Sequence, residues 1–202
     1  WEYDNFEWHL EYRMSTLELK ELSHPSGEVI KIAAGKTLDL KTQGSVTMPT
    51  GSVLQVVHTL RTASTAVSGG STAWTNEGSL VSFTPKFANS TLLIAYKAQA
   101  YVDSIAAGGG ADWNVINFRM VRTTGSDVVL AGSDSTSNYS MGLHTNDQST
   151  RMMTPIAKDY TDSPNTTSAV TYQPQVQSRN GHLIAINSYN GGGTITIMEI
   201  AQ

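Results

Sequence analysis

The sequence contains an eight-residue repeat that constrains its fold more than any other feature. Between Gly27 and His58, four octads follow one another. The fourth and sixth residues of each octad are apolar and the fifth is polar, which is the period of a β-strand with one buried face. Glycine opens three of the four octads and permits a tight turn between strands. The apolar positions are Ile30, Ile32, Leu38, Leu40, Val46, Met48, Leu54 and Val56.

Strands this short cannot bury their apolar pairs alone, because repeat units of this kind need neighbours. Four octads are too few for a solenoid formed by one chain. We therefore expect several chains to wrap around a common axis, with the apolar pairs facing that axis. The alternative is that the octads are ordinary strands of a globular β-domain, where alternating segments recur about every 8–12 residues.

The composition excludes several classes of binding partner and site. Charged residues make up 15% of the 202 residues and the formal net charge is -4, so nothing attracts a phosphate backbone and we expect no nucleic-acid partner. The absence of cysteine excludes disulfide bonds and thiolate metal sites. No apolar run approaches the length of a membrane span and no signal peptide is visible. We therefore expect no insertion into a membrane.

The residues after Gly51 predict an antiparallel β-sandwich of jelly-roll type. Apolar segments alternate with polar turns, such as Thr123–Ser126, and no segment has a convincing helical pattern. Long polar loops are predicted at Ser64–Glu77 and Gly132–Gln148. Strands are predicted at Val53–Leu60, Leu80–Thr84, Ser90–Tyr101, Trp113–Arg122, Asp127–Ala131, Arg151–Tyr160, Ser168–Ser178, Leu183–Ser188 and Gly193–Ala201.

The first thirteen residues differ from the rest of the chain. They contain five aromatic and four acidic residues, and Met14-Ser-Thr follows them like an initiation site. Three interpretations stay open: a processed segment, an added or upstream in-frame extension, and an aromatic peptide that docks into a larger assembly. The predicted organisation is an attachment segment at 1–26, an octad shaft at 27–51 and a head at 52–202.

Three segments resemble tail-fibre and related appendage proteins of bacteriophages, including cyanophages. They are Met-Pro-Thr-Gly-Ser-Val-Leu-Gln-Val-Val (48–57), Phe-Thr-Pro-Lys-Phe-Ala-Asn-Ser-Thr-Leu-Leu-Ile (83–94) and Thr-Ile-Thr-Ile-Met-Glu-Ile-Ala (194–201). The resemblance covers roughly residues 28–202. It implies an all-β homotrimer with a short intertwined β-shaft and a jelly-roll head similar to tumour-necrosis-factor and C1q heads.

The same resemblance implies where such a protein works. The N-terminal segment would attach to other virion proteins of the baseplate, tail or capsid, after assembly in the host cytoplasm. The head would lie on the particle surface and bind host polysaccharide or lipopolysaccharide. Two alternatives remain: a capsid or tail decoration protein with a purely structural role, and a secreted lectin module of the C1q kind.

No motif predicts an enzyme or a cofactor. The histidines form no pair at metal-ligand spacing, and no Gly-x-Ser-x-Gly elbow is present. Paired carboxylates can cleave glycosides, but appendage enzymes of that kind need a long grooved β-helix, for which this chain has no room. Loop oxygens such as those of Asp134, Asn138 and Asp147 lack the spacing of a calcium-binding EF-hand. The interpretation is therefore a binding or structural protein.

Glycan recognition fits the loop composition better than catalysis does. Aromatic rings stack on the apolar faces of sugars, while polar side chains reach the hydroxyl groups. For Trp113, which begins a predicted strand, a place in the core is the favoured alternative. The predicted contact residues are Trp74, Asp112, Tyr139, His144 and Tyr189.

Overall fold

The computed structural model describes residues 34–37, 47–67, 73–103, 113–131, 133, 141–144, 151–178, 183–187 and 192–202. The chain separates into two compact units, residues 1–46 and 47–202. In the first unit, Ala34 and Gly35 form a turn in which Gly35 has a φ of 74°. This turn matches the role predicted for glycine at an octad boundary. Apart from residues 34–37, the predicted shaft up to Val46 lies outside the described residues.

The second unit is all-β in its described residues. The strands predicted from the sequence are confirmed, but parts of both predicted long loops are also strands, so the loop predictions were wrong there. The strands are β1 (Val53–Arg61), β2 (Thr65–Val67), β3 (Thr75–Asn76), β4 (Val81–Phe83), β5 (Thr91–Asp103), β6 (Trp113–Thr123), β7 (Asp127–Val129), β8 (Met141–His144), β9 (Arg151–Asp162), β10 (Val170–Ser178), β11 (Leu183–Ile186) and β12 (Gly193–Ile200).

The strands form two antiparallel sheets with the connectivity of a jelly roll. Sheet A contains β1, β12, β5, β11, β2 and β9, and sheet B contains β3, β10, β6, β7, β4 and β8. Three pairs of strands each share one position, because both members pair along the same edge of a longer neighbour: β3 with β4, β7 with β8 and β11 with β12. β1 and β2 share a fourth position, because they pair with β12 and β11. When the eight resulting positions are numbered in chain order, their spatial order is 1-8-3-6 in sheet A and 2-7-4-5 in sheet B. This order confirms the predicted jelly roll.

The two sheets enclose one hydrophobic core. Alternate residues of β12 point inward, and Ile195 and Ile197 are fully buried, as expected for a strand that lies between β1 and β5. Pro174 occupies a central strand without breaking the sheet. Its carbonyl accepts from Glu77 N in the gap between β3 and β4, so its missing N–H faces a point where no strand partner is needed.

One end of the sandwich carries the chain entry. The turn at Gly51, which has a φ of 86°, is fixed to the C-terminus by a 2.8 Å bond from Gly51 N to Ala201 O. The strand registers place the β4–β5, β6–β7 and β9–β10 connections at this same end. The paired strand ends at Asp103 and Leu183 therefore lie at the opposite end.

A buried carboxylate on β12 fixes the β4–β5 connection to sheet A. Glu199 is fully buried. Its Oε1 accepts from Lys86 N at 2.8 Å, Phe87 N at 3.1 Å and Ser90 Oγ at 2.7 Å. Its Oε2 accepts from Gln55 Nε2 at 2.6 Å. These neutral donors replace the water that the carboxylate loses on burial.

A second buried carboxylate joins the two sheets near the β1–β2 junction. Glu77 Oε1 accepts from Asn187 Nδ2 at 3.0 Å, and Oε2 accepts from Ser79 N at 3.0 Å. Arg61 Nη1 lies 3.5 Å from Oε2. Desolvation raises the pKa of the Glu77 carboxyl above its ordinary value of 4.5, against the opposing effects of the Ser79 hydrogen bonds and the Arg61 charge. Glycine is favoured at position 78, because its φ is 88° and because a Cβ there would displace the Arg61 guanidinium from this pair.

Candidate functional site

The outer face of sheet A carries an unusual number of apolar side chains. The pairing brings Val56, Met198 and Leu93 into one row across β1, β12 and β5. Val56 is 54% exposed and Leu93 37% exposed. The apolar face, as we call it, comprises Val56, Leu60, Leu93, Ala95, Ala157 and Met198.

The polarity of sheet A is inverted where this row lies. Glu199 points into the sandwich, whereas its neighbours Met198 and Ile200 are on the outward positions of β12. On β1, an irregularity between Val53 and Gln55 has the same effect. Gln55 reaches the buried Glu199, and Val56 is left on the outside. Glu199 and Gln55 thus place polar groups beneath part of the apolar row, which is the opposite of what water favours. Ile94 and Ile197 beside them belong to the hydrophobic core as usual.

An open hollow lies on the β9 side of the apolar face. It has a volume of about 560 Å³, and its lining includes Leu93, Ala95, Met198 and Asp159 of sheet A together with Ala131, which follows β7. On the described outward positions of β1, β5, β9 and β12, the ionisable side chains are His58, Lys97 and Asp159. A concave, sparsely charged surface of this kind suits a protein partner better than solvent.

The outer face of sheet B is different, because it is covered by amide side chains. Gln175 is opposite Arg119 on one side and Asn76 on the other. Arg119 Nε donates to Gln175 Oε1 at 2.5 Å, and Gln175 Nε2 donates to Asn76 Oδ1 at 2.7 Å. We call this surface the amide face, and its residues are Asn76, Arg119, Thr171, Gln173 and Gln175.

Trp74 lies beside the amide face, just before β3. The guanidinium carbon of Arg119 is 4.4 Å from the centroid of the Trp74 ring, which is the geometry of a cation–π contact. Trp74 is half-buried, and one face of its ring is occupied by Arg119. The predicted glycan contact at Trp74 stays a prediction, but the ring now has a defined neighbour that is itself able to bind a ligand.

The other predicted contact residues are less completely placed. The backbone of His144 pairs with that of Trp113 at the ends of β8 and β6, which lie away from the chain entry. Asp112, Tyr139 and Tyr189 lie outside the described residues. The sequence reasoning missed Arg119, Gln175 and Asn76 as site residues. The alternation of Thr171, Gln173 and Gln175 along one strand is the signal that predicts a polar outer face there.

Three of the predicted axial residues lie in the described part of the chain. Met48 is 42% exposed and borders a small cleft of about 160 Å³ next to Phe87. Leu54 is half-buried, and Val56 belongs to the apolar face. Ile30, Ile32, Leu38, Leu40 and Val46 lie outside the described residues. The axial role of all eight stays a prediction.

Two further properties apply to the described part of the chain. Within it, no three or more histidine or acidic side chains are grouped closely enough to hold a metal ion. The same residues contain no helix that is long and apolar enough to cross a membrane.

Comparisons with known proteins add little to this picture. No protein-family model matches the sequence, and no curated protein matches it. Among solved structures, the chain is similar to one described as "Structure of infectious bursal disease virus Gx strain", with 8% identity and a TM-score of 0.25. That match covers 82% of this chain and 46% of the other, so this chain spans less than half of its length. A TM-score of that size bears on neither fold nor function.

Proposed function

We propose that this chain is a structural protein of a virus particle, of the phage tail-fibre kind, that acts as a homotrimer. Its head binds glycans on the host surface, and its chemistry is noncovalent rather than enzymatic. The observation that carries the proposal is the inverted polarity of sheet A. Val56, Leu93 and Met198 face outward beside a buried Glu199, and burial of this apolar row against another surface would be favourable.

The occupant that we assign to the apolar face is a second copy of this chain. Leu54 and Val56, the last octad pair, belong to β1, the strand that begins the apolar face. A chain assembly that brings the octad pairs of several copies together therefore also brings their β1 strands together. A closed ring of three copies buries such an apolar patch where it lies close to the three-fold axis.

A trimer also increases the avidity of the head for glycans. Single sugar contacts are weak, and three linked heads convert later contacts into intramolecular ones at high effective concentration. The amide face supplies donors and acceptors that match sugar hydroxyls, and it lies on the sheet opposite to the one proposed for assembly. We therefore propose that the N-terminal segment attaches to other virion proteins while the head faces the host surface.

Light scattering coupled to size-exclusion chromatography tests the assembly. The intact chain is expected at three times its mass of 21.8 kDa, independent of dilution in the micromolar range. A species of a single chain's mass would contradict the trimer. An array of bacterial surface polysaccharides then tests the head, and a lack of binding by a confirmed trimer would remove the receptor role while keeping the structural one.

The second candidate is a decoration protein whose head only packs against other virion proteins. The hydrogen bonds among Arg119, Gln175 and Asn76 favour it, because these side chains partly satisfy one another without a ligand. The same array separates the two, since a decoration protein binds no polysaccharide. An antibody against the head, applied to intact particles, then locates the protein at the tail or on the capsid.

A further inference from the structure

We infer that Arg119 anchors an anion-binding site on the amide face and that its ligand is the carboxylate of an acidic sugar. The inference rests on the proposed glycan-binding function and names the class of glycan. In this site Arg119 binds the ligand directly. Trp74 positions Arg119 and does not act as a free surface on which a sugar stacks.

The guanidinium of Arg119 is held in place from two directions. The ring of Trp74 lies 4.4 Å from its central carbon, and Gln175 Oε1 accepts from Nε at 2.5 Å. Gln175 is held in turn by its 2.7 Å bond to Asn76. Arginine side chains normally lose rotamer freedom on binding. An arginine that is already fixed loses less, so its affinity for a matching ligand is higher.

The ends of this guanidinium are available to a ligand. Arginine has five N–H donors in a planar fork, and only Nε of Arg119 has a hydrogen-bond acceptor in the part of the chain that the structure describes. Burial lowers the pKa of Arg119, with the charge of Asp127 opposing the shift. Asp127 accepts a 2.7 Å bond from Thr123 instead. The cation is thus partly desolvated, and its two Nη groups have no acceptor among the described residues with which an anion would compete.

The surroundings favour a sugar carboxylate over other anions. The planar fork of arginine matches a carboxylate in two parallel hydrogen bonds. The amide face contributes a single cation, and the whole chain has a net charge of -4, so a densely charged polyanion gains little here. Gln173 and Thr171 lie on the same strand as Gln175 and face the same side, where an amide and a hydroxyl group can bind sugar hydroxyls.

The site is tested by titrating the intact chain and monitoring the NMR signals of Arg119 Nε–H and Trp74 Nε1–H. The probes are sodium D-glucuronate and D-galacturonate, with the methyl ester of glucuronate as a neutral control and acetate as an anion without a ring. At least one uronate is expected to shift both signals in a saturable way. The ester and acetate are each expected to bind at least about tenfold more weakly, because one lacks the charge-assisted bonds and the other the hydroxyl contacts.

Matched variants make the test specific to Arg119. Arg119→Gln is expected to weaken uronate binding at least about tenfold. Arg119→Lys keeps the charge but loses the planar fork, so it is expected to recover only part of the affinity. Lys86→Gln removes one positive charge from the exposed chain-entry end and should leave binding unchanged. Folding of each variant is checked by its dispersed amide spectrum.

The possible outcomes separate this inference from the proposed function. If the ester binds as tightly as the uronates, or Arg119→Gln binds like the wild type, the carboxylate site is wrong, while glycan binding on the polysaccharide array can still be positive. Acetate binding as tight as uronate binding would also overturn the inference, because the site would then lack sugar recognition. Absence of any shift at Arg119 with both uronates overturns it as well.

Discussion

The two outer faces of this sandwich have the same secondary structure and opposite chemistry. On sheet B the usual polarity holds: Tyr172 and Val176 are buried, and Gln173 and Gln175 face outward. On sheet A the polarity is inverted near the chain entry, where Glu199 is buried and Met198 faces outward. The chemistry of each face is therefore set by which side its polar residues occupy, since both sheets are antiparallel.

The inversion in sheet A is possible because the interior supplies a complete set of donors. The carboxylate of Glu199 receives four hydrogen bonds, from Lys86 N, Phe87 N, Ser90 Oγ and Gln55 Nε2. A carboxylate with fewer partners would be strongly destabilising inside a core. The same alternation that turns Glu199 inward turns Met198 outward. The buried network and the exposed apolar row therefore have one structural origin.

The largest expected effect comes from charging the apolar face. In the double variant Val56→Glu with Leu93→Glu, carboxylates of neighbouring chains meet in the proposed interface, and like charges in an interface cost several kcal/mol. We expect the trimer to dissociate at least about 100-fold more readily, as seen by light scattering over a dilution series. The matched control is Gln173→Glu on the amide face, which should leave the trimer intact.

These two variants can also contradict the roles proposed for the two faces. A double variant that stays trimeric while Gln173→Glu dissociates would exchange the roles of the two faces. Retention of the trimer in both would place the interface elsewhere in the chain, for example in the octads alone. Far-ultraviolet circular dichroism confirms that each variant is folded before its mass is interpreted.

The next largest effect tests the network beneath the apolar face. Glu199→Ala removes one acceptor from four donors, two of which are the backbone N–H groups of Lys86 and Phe87. We expect a loss of about 3 kcal/mol in the free energy of unfolding, since buried donors without acceptors each cost about 1–3 kcal/mol. Urea unfolding in the monomeric double-glutamate background separates this loss from assembly. A loss below about 1 kcal/mol would mean that the donors find other partners.

A pH series examines the carboxylate that joins the sheets. Because the pKa of Glu77 is raised above 4.5 in the folded chain, the folded state binds more protons than the unfolded state between 4.5 and the raised value. The free energy of unfolding should therefore fall as the pH rises through this window and then level off. In Glu77→Gln this contribution to the slope should be absent. Parallel slopes for wild type and variant in urea unfolding at several pH values would show that Glu77 ionises normally.

The smallest effect is expected on the amide face. Trp74→Ala removes a cation–π contact that contributes about 0.5–1 kcal/mol at exposed sites. We expect a stability change of that size and an unchanged trimer, measured by urea unfolding and light scattering. Phenylalanine at this position keeps a ring face for Arg119 and should recover part of the loss. A loss of several kcal/mol from Trp74→Ala would instead make this residue part of the core.

Much of the fold was predictable because its longest strands carry clear alternation. β5, β6 and β12 were found from local patterns alone, and the turn glycines at Gly35 and Gly51 were placed correctly. The short strands β2 and β3 have only three and two residues. They exist because β11 and β10 provide partners, so no local pattern identifies them.

The sites were harder to predict because their members are distant in sequence. Trp74 was selected as an aromatic residue in a polar loop, but Arg119, which lies on its ring, is in β6. The burial of Glu199 beside an exposed apolar row in sheet A was equally hard to predict. Both Met198 and Ile200 are apolar, so the sequence alone does not reveal which side of the strand is buried. The burial of Glu199 in β12 shows that it takes the inward position.

Oxidative footprinting of the intact chain in solution measures the exposure of both faces in one sample. We expect Met198 on the apolar face to be oxidised much more slowly in the wild type than in the dissociated Val56→Glu and Leu93→Glu variant. Trp74, beside the amide face, should react at the same rate in both. Equal reactivity of Met198 in the two samples, or protection of Trp74 in the wild type alone, would contradict the assignment of assembly to sheet A and of ligand binding to sheet B.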